Sequence, residues 1–113
     1  MAVAAAARIA ADDLVRFIAA AYRAVGIMPE AADKAARLMA ASDISGADGH
    51  GVFRLPQYIR RIRAGGLNTE PEIRVVRRAR ATALVDGDNG LGSLVVARAV
   101  EEAIALAGDN GVG

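Results

Sequence analysis

Residues 48–58 read Asp48-Gly49-His50-Gly51-Val52-Phe53-Arg54-Leu55-Pro56-Gln57-Tyr58, and the stretch changes character halfway. Glycines on both sides of His50 read as a loop, while Leu55, Ile59 and Ile62 recur at helical spacing until Gly65-Gly66 stops them. Pro56 fits only the first turn of such a helix, which places it at about Arg54–Ala64. His50, Arg54 and Tyr58 are spaced i, i+4, i+8, which predicts one helical stripe opposite the apolar one. A guanidinium is a planar fork that matches a carboxylate, and an imidazole titrating near neutrality exchanges a proton with a neighbouring hydroxyl or ketone. Together they suit a 2-hydroxy or 2-oxo acid. The plainer reading leaves Arg54 and Tyr58 as the solvated side of an amphipathic helix whose phase Pro56 disturbs.

Working outward, Leu14, Val15, Phe17, Ile18, Ala21, Tyr22 and Val25 predict a helix from Asp12 to Val25. Asp12 and Asp13 suit its positive end, and Gly26 stops it. A second helix starts at Pro29 and turns Ala32, Ala35, Leu38, Met39 and Ser42 inward. Ser45 to Gly49 breaks the pattern. Beyond the turn-rich Gly65–Pro71, Ile73 and Val75 and then Ala81–Asp86 read as two short strands around an Arg77–Arg80 turn. A last helix, about Ser93–Ala107, is expected to bury Val96, Ala99, Val100, Ala103 and Ile104. Gly108–Gly113 reads as a turn into a new strand, so a continuing chain is expected. The fold class is α+β: three N-terminal helices, a two-stranded unit and a further helix.

Composition narrows the function. The chain has 113 residues, a net charge of +1 and no Cys. That length allows one small domain, and with 27 Ala its core side chains are small. Near-neutrality and 4 % aromatics argue against a dedicated nucleic-acid domain. The lack of Cys excludes disulfides and thiolate zinc sites and fits the cytoplasm. Residues 1–11 read as a frayed lead-in, since a signal peptide would place its cations first. No stretch approaches the roughly 20 apolar residues of a membrane span.

Three further features invite a function. Gly87-Asp88-Asn89-Gly90-Leu91-Gly92 has the order G-x-x-G-x-G, the wrong one for a dinucleotide fingerprint, and reads as a tight turn and helix entry. Asp86, Asp88 and Asn89 lack the downstream Glu of a calcium loop, and no metal site is expected. Arg60, Arg61 and Arg63, with Arg74, Arg77, Arg78 and Arg80, make two basic patches. They carry the competing reading, a non-enzymatic helical module that binds a protein or nucleic acid.

Residues 48–58 resemble the signature of the malate/L-lactate dehydrogenase family of NAD(P)-dependent oxidoreductases, an Asp-Ser-His-Gly box followed by Arg-Leu and a Tyr. The resemblance extends from about Leu14 to Gly113 and includes Gly65-Gly66, Pro71 and Val85-Asp86-Gly87. It implies the N-terminal part of a longer enzyme. Residues 12–66 would then be a helical substrate-site segment, and 67–113 the start of a truncated, non-Rossmann α/β cofactor domain. It further implies His50 in proton exchange or substrate contact, Arg54 on the substrate carboxylate and Tyr58 beside them. NAD or NADP would be held mainly by residues beyond this chain, in a homodimer acting on 2-hydroxy or 2-oxo acids. The fragment alone is expected to be inactive. Gly49 stands where the family box has serine.

Overall fold

The computed structural model describes residues 5–113. Of the expected lead-in, residues 1–4 lie outside the described residues, and residues 5–10 are exposed without regular structure. Helix α1 spans Ala11–Ala24 and α2 spans Pro29–Ile44. Two single-turn 3₁₀ helices follow, Asp48–His50 and Val52–Arg54, leading directly into α3, Leu55–Arg63. Strands β1, Arg74–Arg78, and β2, Ala83–Asp86, form an antiparallel pair, and α4 runs from Gly92 to Asn110.

The core lies between α1 and α2. Leu14, Ile18 and Tyr22 from α1 meet Ala32, Ala35, Ala36, Met39 and Ala40 from α2. Alanines on the α2 face let the two axes approach closely, and the larger α1 side chains fill the space between them. Ile18 is fully buried, a transfer worth about 1.5–3 kcal/mol. Leu55 and Ile62 bring α3 onto this pair, and Leu91 brings in the entry to α4. Pro56 occupies the first turn of α3, where its missing N–H costs no helical hydrogen bond.

Four expectations change. His50 and Arg54 belong to separate 3₁₀ turns and only Tyr58 to α3, so no single helical stripe carries all three. Gly51, at φ −89° and ψ −151°, is extended and interrupts the helical phase. Arg77 and Arg78 lie in β1 rather than in the turn, which is closed at Ala79 N–H to Thr82 O, 2.9 Å. The register shifts between Val75 and Arg77, so one residue bulges there.

Helix α4 brings the other two changes. It runs on to Asn110 and ends at Gly111 in the left-handed region, φ 80°, so Gly108 starts no turn. Val96, Val100 and Ile104, expected in the core, are 61 %, 49 % and 67 % exposed, and Ala99 and Ala103 are half-buried. The side of α4 turned to the rest of the chain carries Leu94, Arg98, Glu101 and Glu102 instead. Lys34 of α2 reaches Glu101 at 2.9 Å, and Arg78 of β1 and Arg98 both pair with the buried Glu102.

Candidate active site

A cavity of about 110 Å³ opens where α1, α2, the 3₁₀ loop, α3 and the start of α4 converge. Tyr22, Ser42, His50, Tyr58 and Ser93 supply its polar groups, and Leu38, Met39 and Leu91 its apolar wall. Its volume is well below the ~300–1,000 Å³ of sites for drug-sized ligands. It is sized for a small ligand.

The loop that carries His50 is held at both ends. Ala47 N–H donates to Ser42 O at 2.8 Å and His50 N–H to Ala47 O at 2.9 Å. Past the histidine, Val52 N–H donates to Asp43 Oδ2 at 2.8 Å. Arg54 Nε donates back to Gly49 O at 2.8 Å, and its Nη1 to Gln57 Oε1 at 3.2 Å. Arg54 is therefore exposed and outside the cavity wall, while His50 and Tyr58 line it. The structure brings together two of the three residues expected from spacing, through loop geometry rather than through a shared helix.

Tyr22 is the member that the spacing argument missed as a site residue. It is only 1 % exposed, and burial, followed by the neighbouring Tyr58, pushes its phenol up to about 12. At neutral pH it is an uncharged hydroxyl on the same cavity as the imidazole. Its signal in the sequence is a phenol in the i+8 position of the Leu14–Ile18 core stripe, where a purely apolar residue would pack as well. Ser93 and Gly92 add the first turn of α4, whose leading N–H groups have no partner within the helix.

The Gly87–Gly92 segment is a tight turn packed against Pro71 and Val95. Asp88 and Asn89 adopt left-handed angles, φ 48° and 53°, and Gly90 N–H bonds Gly87 O at 2.9 Å, which makes a tight turn. Asp88 Oδ2 accepts Asn68 Nδ2 at 2.9 Å and Glu72 N–H at 3.0 Å, and Asp86 Oδ1 accepts Asp88 N–H at 2.9 Å. A methyl at Gly90 would come within 2.7 Å of Pro71, and one at Gly87 within 2.7 Å of Val95. The turn is a clasp that sets Leu91, Gly92 and Ser93 at the cavity. Among the described residues, no three His, Cys, Asp or Glu side chains converge as a metal ion would require, and no helix is long and apolar enough to cross a membrane. Several patch arginines are engaged internally: Arg61 with Gly66 O, Arg74 with Asp86 at 3.7 Å and Arg78 with Glu102.

The family model described as malate/L-lactate dehydrogenase matches residues 9–113. The malate dehydrogenase of Pyrococcus horikoshii is 40 % identical over 106 residues, which cover 94 % of this chain and 29 % of that protein. Its solved structure superposes with a TM-score of 0.86 over 93 % of this chain and 30 % of that one, at 39 % identity. The L-sulfolactate dehydrogenase of Methanocaldococcus jannaschii is 41 % identical over 88 residues, 78 % of this chain and 26 % of that protein. The ureidoglycolate dehydrogenase (NAD(+)) of Escherichia coli K12 is 34 % identical over 87 residues, 77 % of this chain and 25 % of that protein. The chain spans under a third of the length of these curated relatives.

Proposed function

Since the chain belongs to the malate/L-lactate dehydrogenase family, we propose that it supplies the hydroxy-acid side of an NAD(P)-dependent oxidoreductase that transfers a hydride between a nicotinamide cofactor and a 2-hydroxy or 2-oxo acid. The observation that carries the reading is the meeting of His50 with Tyr22 and Tyr58 around one small cavity. His50 exchanges the proton of the substrate hydroxyl, and Tyr58, with the uncharged Tyr22 phenol, hydrogen-bonds the same oxygen. Arg54 stands at the loop beside them. Its Nε serves the loop, while Nη2 and one N–H of Nη1 keep a fork for the carboxylate.

The cofactor, NAD or NADP, belongs to the longer protein that the relatives exemplify. One relative's name specifies NAD(+), which supports a nicotinamide partner. A homodimer in the cytoplasm, without membrane or nucleic-acid partners, completes the reading.

The test uses the chain's one histidine. L-Malate and L-lactate are titrated into the isotope-labelled protein while the His50 ring signals are followed by NMR. A saturable shift of the His50 and Tyr58 rings is expected with at least one acid. Unmoved rings at saturating acid would defeat the reading. In the same samples, adding NAD or NADP is expected to give no reduced cofactor.

A further inference from the structure

Asp43 stands in the last turn of α2, next to Ser42 of the cavity wall, and no basic residue shares that turn. A carboxylate there faces the negative end of the helix dipole, where local electrostatics disfavour it. Its placement makes sense through what it reaches. Oδ2 accepts the Val52 N–H at 2.8 Å, and the carboxylate lies so close over Gly51 that a methyl group there would overlap it. Gly51 is buried by this contact and has ordinary negative φ, so glycine is required by space and not by backbone angle. His50 immediately precedes the clamped pair.

We propose that Asp43 is the positioning residue of His50: it holds the backbone of residues 51 and 52 against α2 and thereby aims the imidazole at Tyr22 and Tyr58, with the bare Gly51 as its matched partner. Without the carboxylate, the Val52 N–H loses its acceptor, and the bonds left across the histidine, Arg54 Nε to Gly49 O and Gly51 N–H to Asp48 O, stay within the loop and do not fasten it to α2. The inference rests on the function proposed above only for what His50 does once it is placed.

The chain has one histidine and two tyrosines, and all three line the cavity. Nuclear Overhauser cross-peaks between the His50 and tyrosine rings therefore read the imidazole's position directly. Asp43→Ala is expected to weaken these cross-peaks several-fold while those between Ile18 and Tyr22 in the α1–α2 core persist. Asp43→Asn is expected to keep them, because the carboxamide oxygen still accepts the Val52 N–H. Full-strength His50–tyrosine cross-peaks in a folded Asp43→Ala protein would overturn the proposal, as would their loss in Asp43→Asn. Should Asp43→Ala fail to fold, Gly51→Ala decides: its methyl displaces the carboxylate, so the cross-peaks should fade, and their survival would overturn the proposal. A protein whose imidazole stays in place yet ignores hydroxy acids would defeat the functional reading and leave this one standing.

Discussion

Gly49 and Gly51 flank the same imidazole, yet a side chain added at either meets opposite surroundings. No heavy atom lies within 4 Å of a Cβ built at Gly49, whereas one at Gly51 runs into Asp43. Gly49→Ser should therefore leave stability unchanged or raise it by about 0.4–1 kcal/mol, since it removes freedom only from the unfolded chain. Gly51→Ala should cost about 1–3 kcal/mol, as overpacking generally does. Urea denaturation of both variants checks the pair; equal midpoints would show that the carboxylate does not fill that space. The side chains proposed to carry chemistry, His50, Arg54 and Tyr58, are legible as residue types. Asp43 is not, because its partner is a backbone N–H nine residues away that no spacing rule marks. Tyr22 is legible only as a core position.

Among the elements, α4 separates what periodicity can tell from what it cannot. Its helical period was plain, but Val96, Val100 and Ile104 form a stripe that hydrophobicity alone assigns to the core, and the structure leaves it exposed. The side that packs is held by charge. Glu102 is buried between Arg78 and Arg98, and the Arg78 hydrogen bond is the first cause that holds its carboxyl below the usual carboxylate range, against an opposing push from burial, with Arg98 helping. A depressed folded pKa contributes stability above the unfolded value of roughly 4.3 and loses it as the pH falls through the folded one. Amide exchange in β1 and β2 should therefore quicken below that value relative to α1, and Glu102→Gln should be quick at every pH. A hairpin whose protection ignores pH would count against this pairing as its anchor. The strands are legible to within a few residues, but the ends of β1 are not, because alternation is weak in Arg-Val-Val-Arg-Arg.

For the molecule as a whole, the radius of gyration is 16.7 Å, against about 13 Å for a compact domain of this length. The core is concentrated between α1 and α2, while the hairpin and α4 extend away from it. The stability of the 113-residue chain should follow that distribution. Ile18→Ala in the core should cost about 2–5 kcal/mol, and Ile104→Lys on α4 less than about 0.5 kcal/mol. A comparable loss from both, in urea melts, would mean that the α4 stripe is packed in solution. The α+β class and the order of elements are legible in the amino-acid sequence, since each element carries its own period. How the elements meet is not, because the cavity draws its residues from five separate segments.

If His50 handles the proton of a 2-hydroxy acid, its replacement must slow the chemical step in a complete dehydrogenase. Residues 9–113 would replace the matching segment of the Pyrococcus horikoshii malate dehydrogenase, to which the chain is 40 % identical, and L-malate oxidation would be compared with and without His50→Gln. With the substitution, kcat is expected to fall by about 10²–10⁴-fold while KM changes far less. An active chimera whose kcat stays within about twofold would rule out that role for His50.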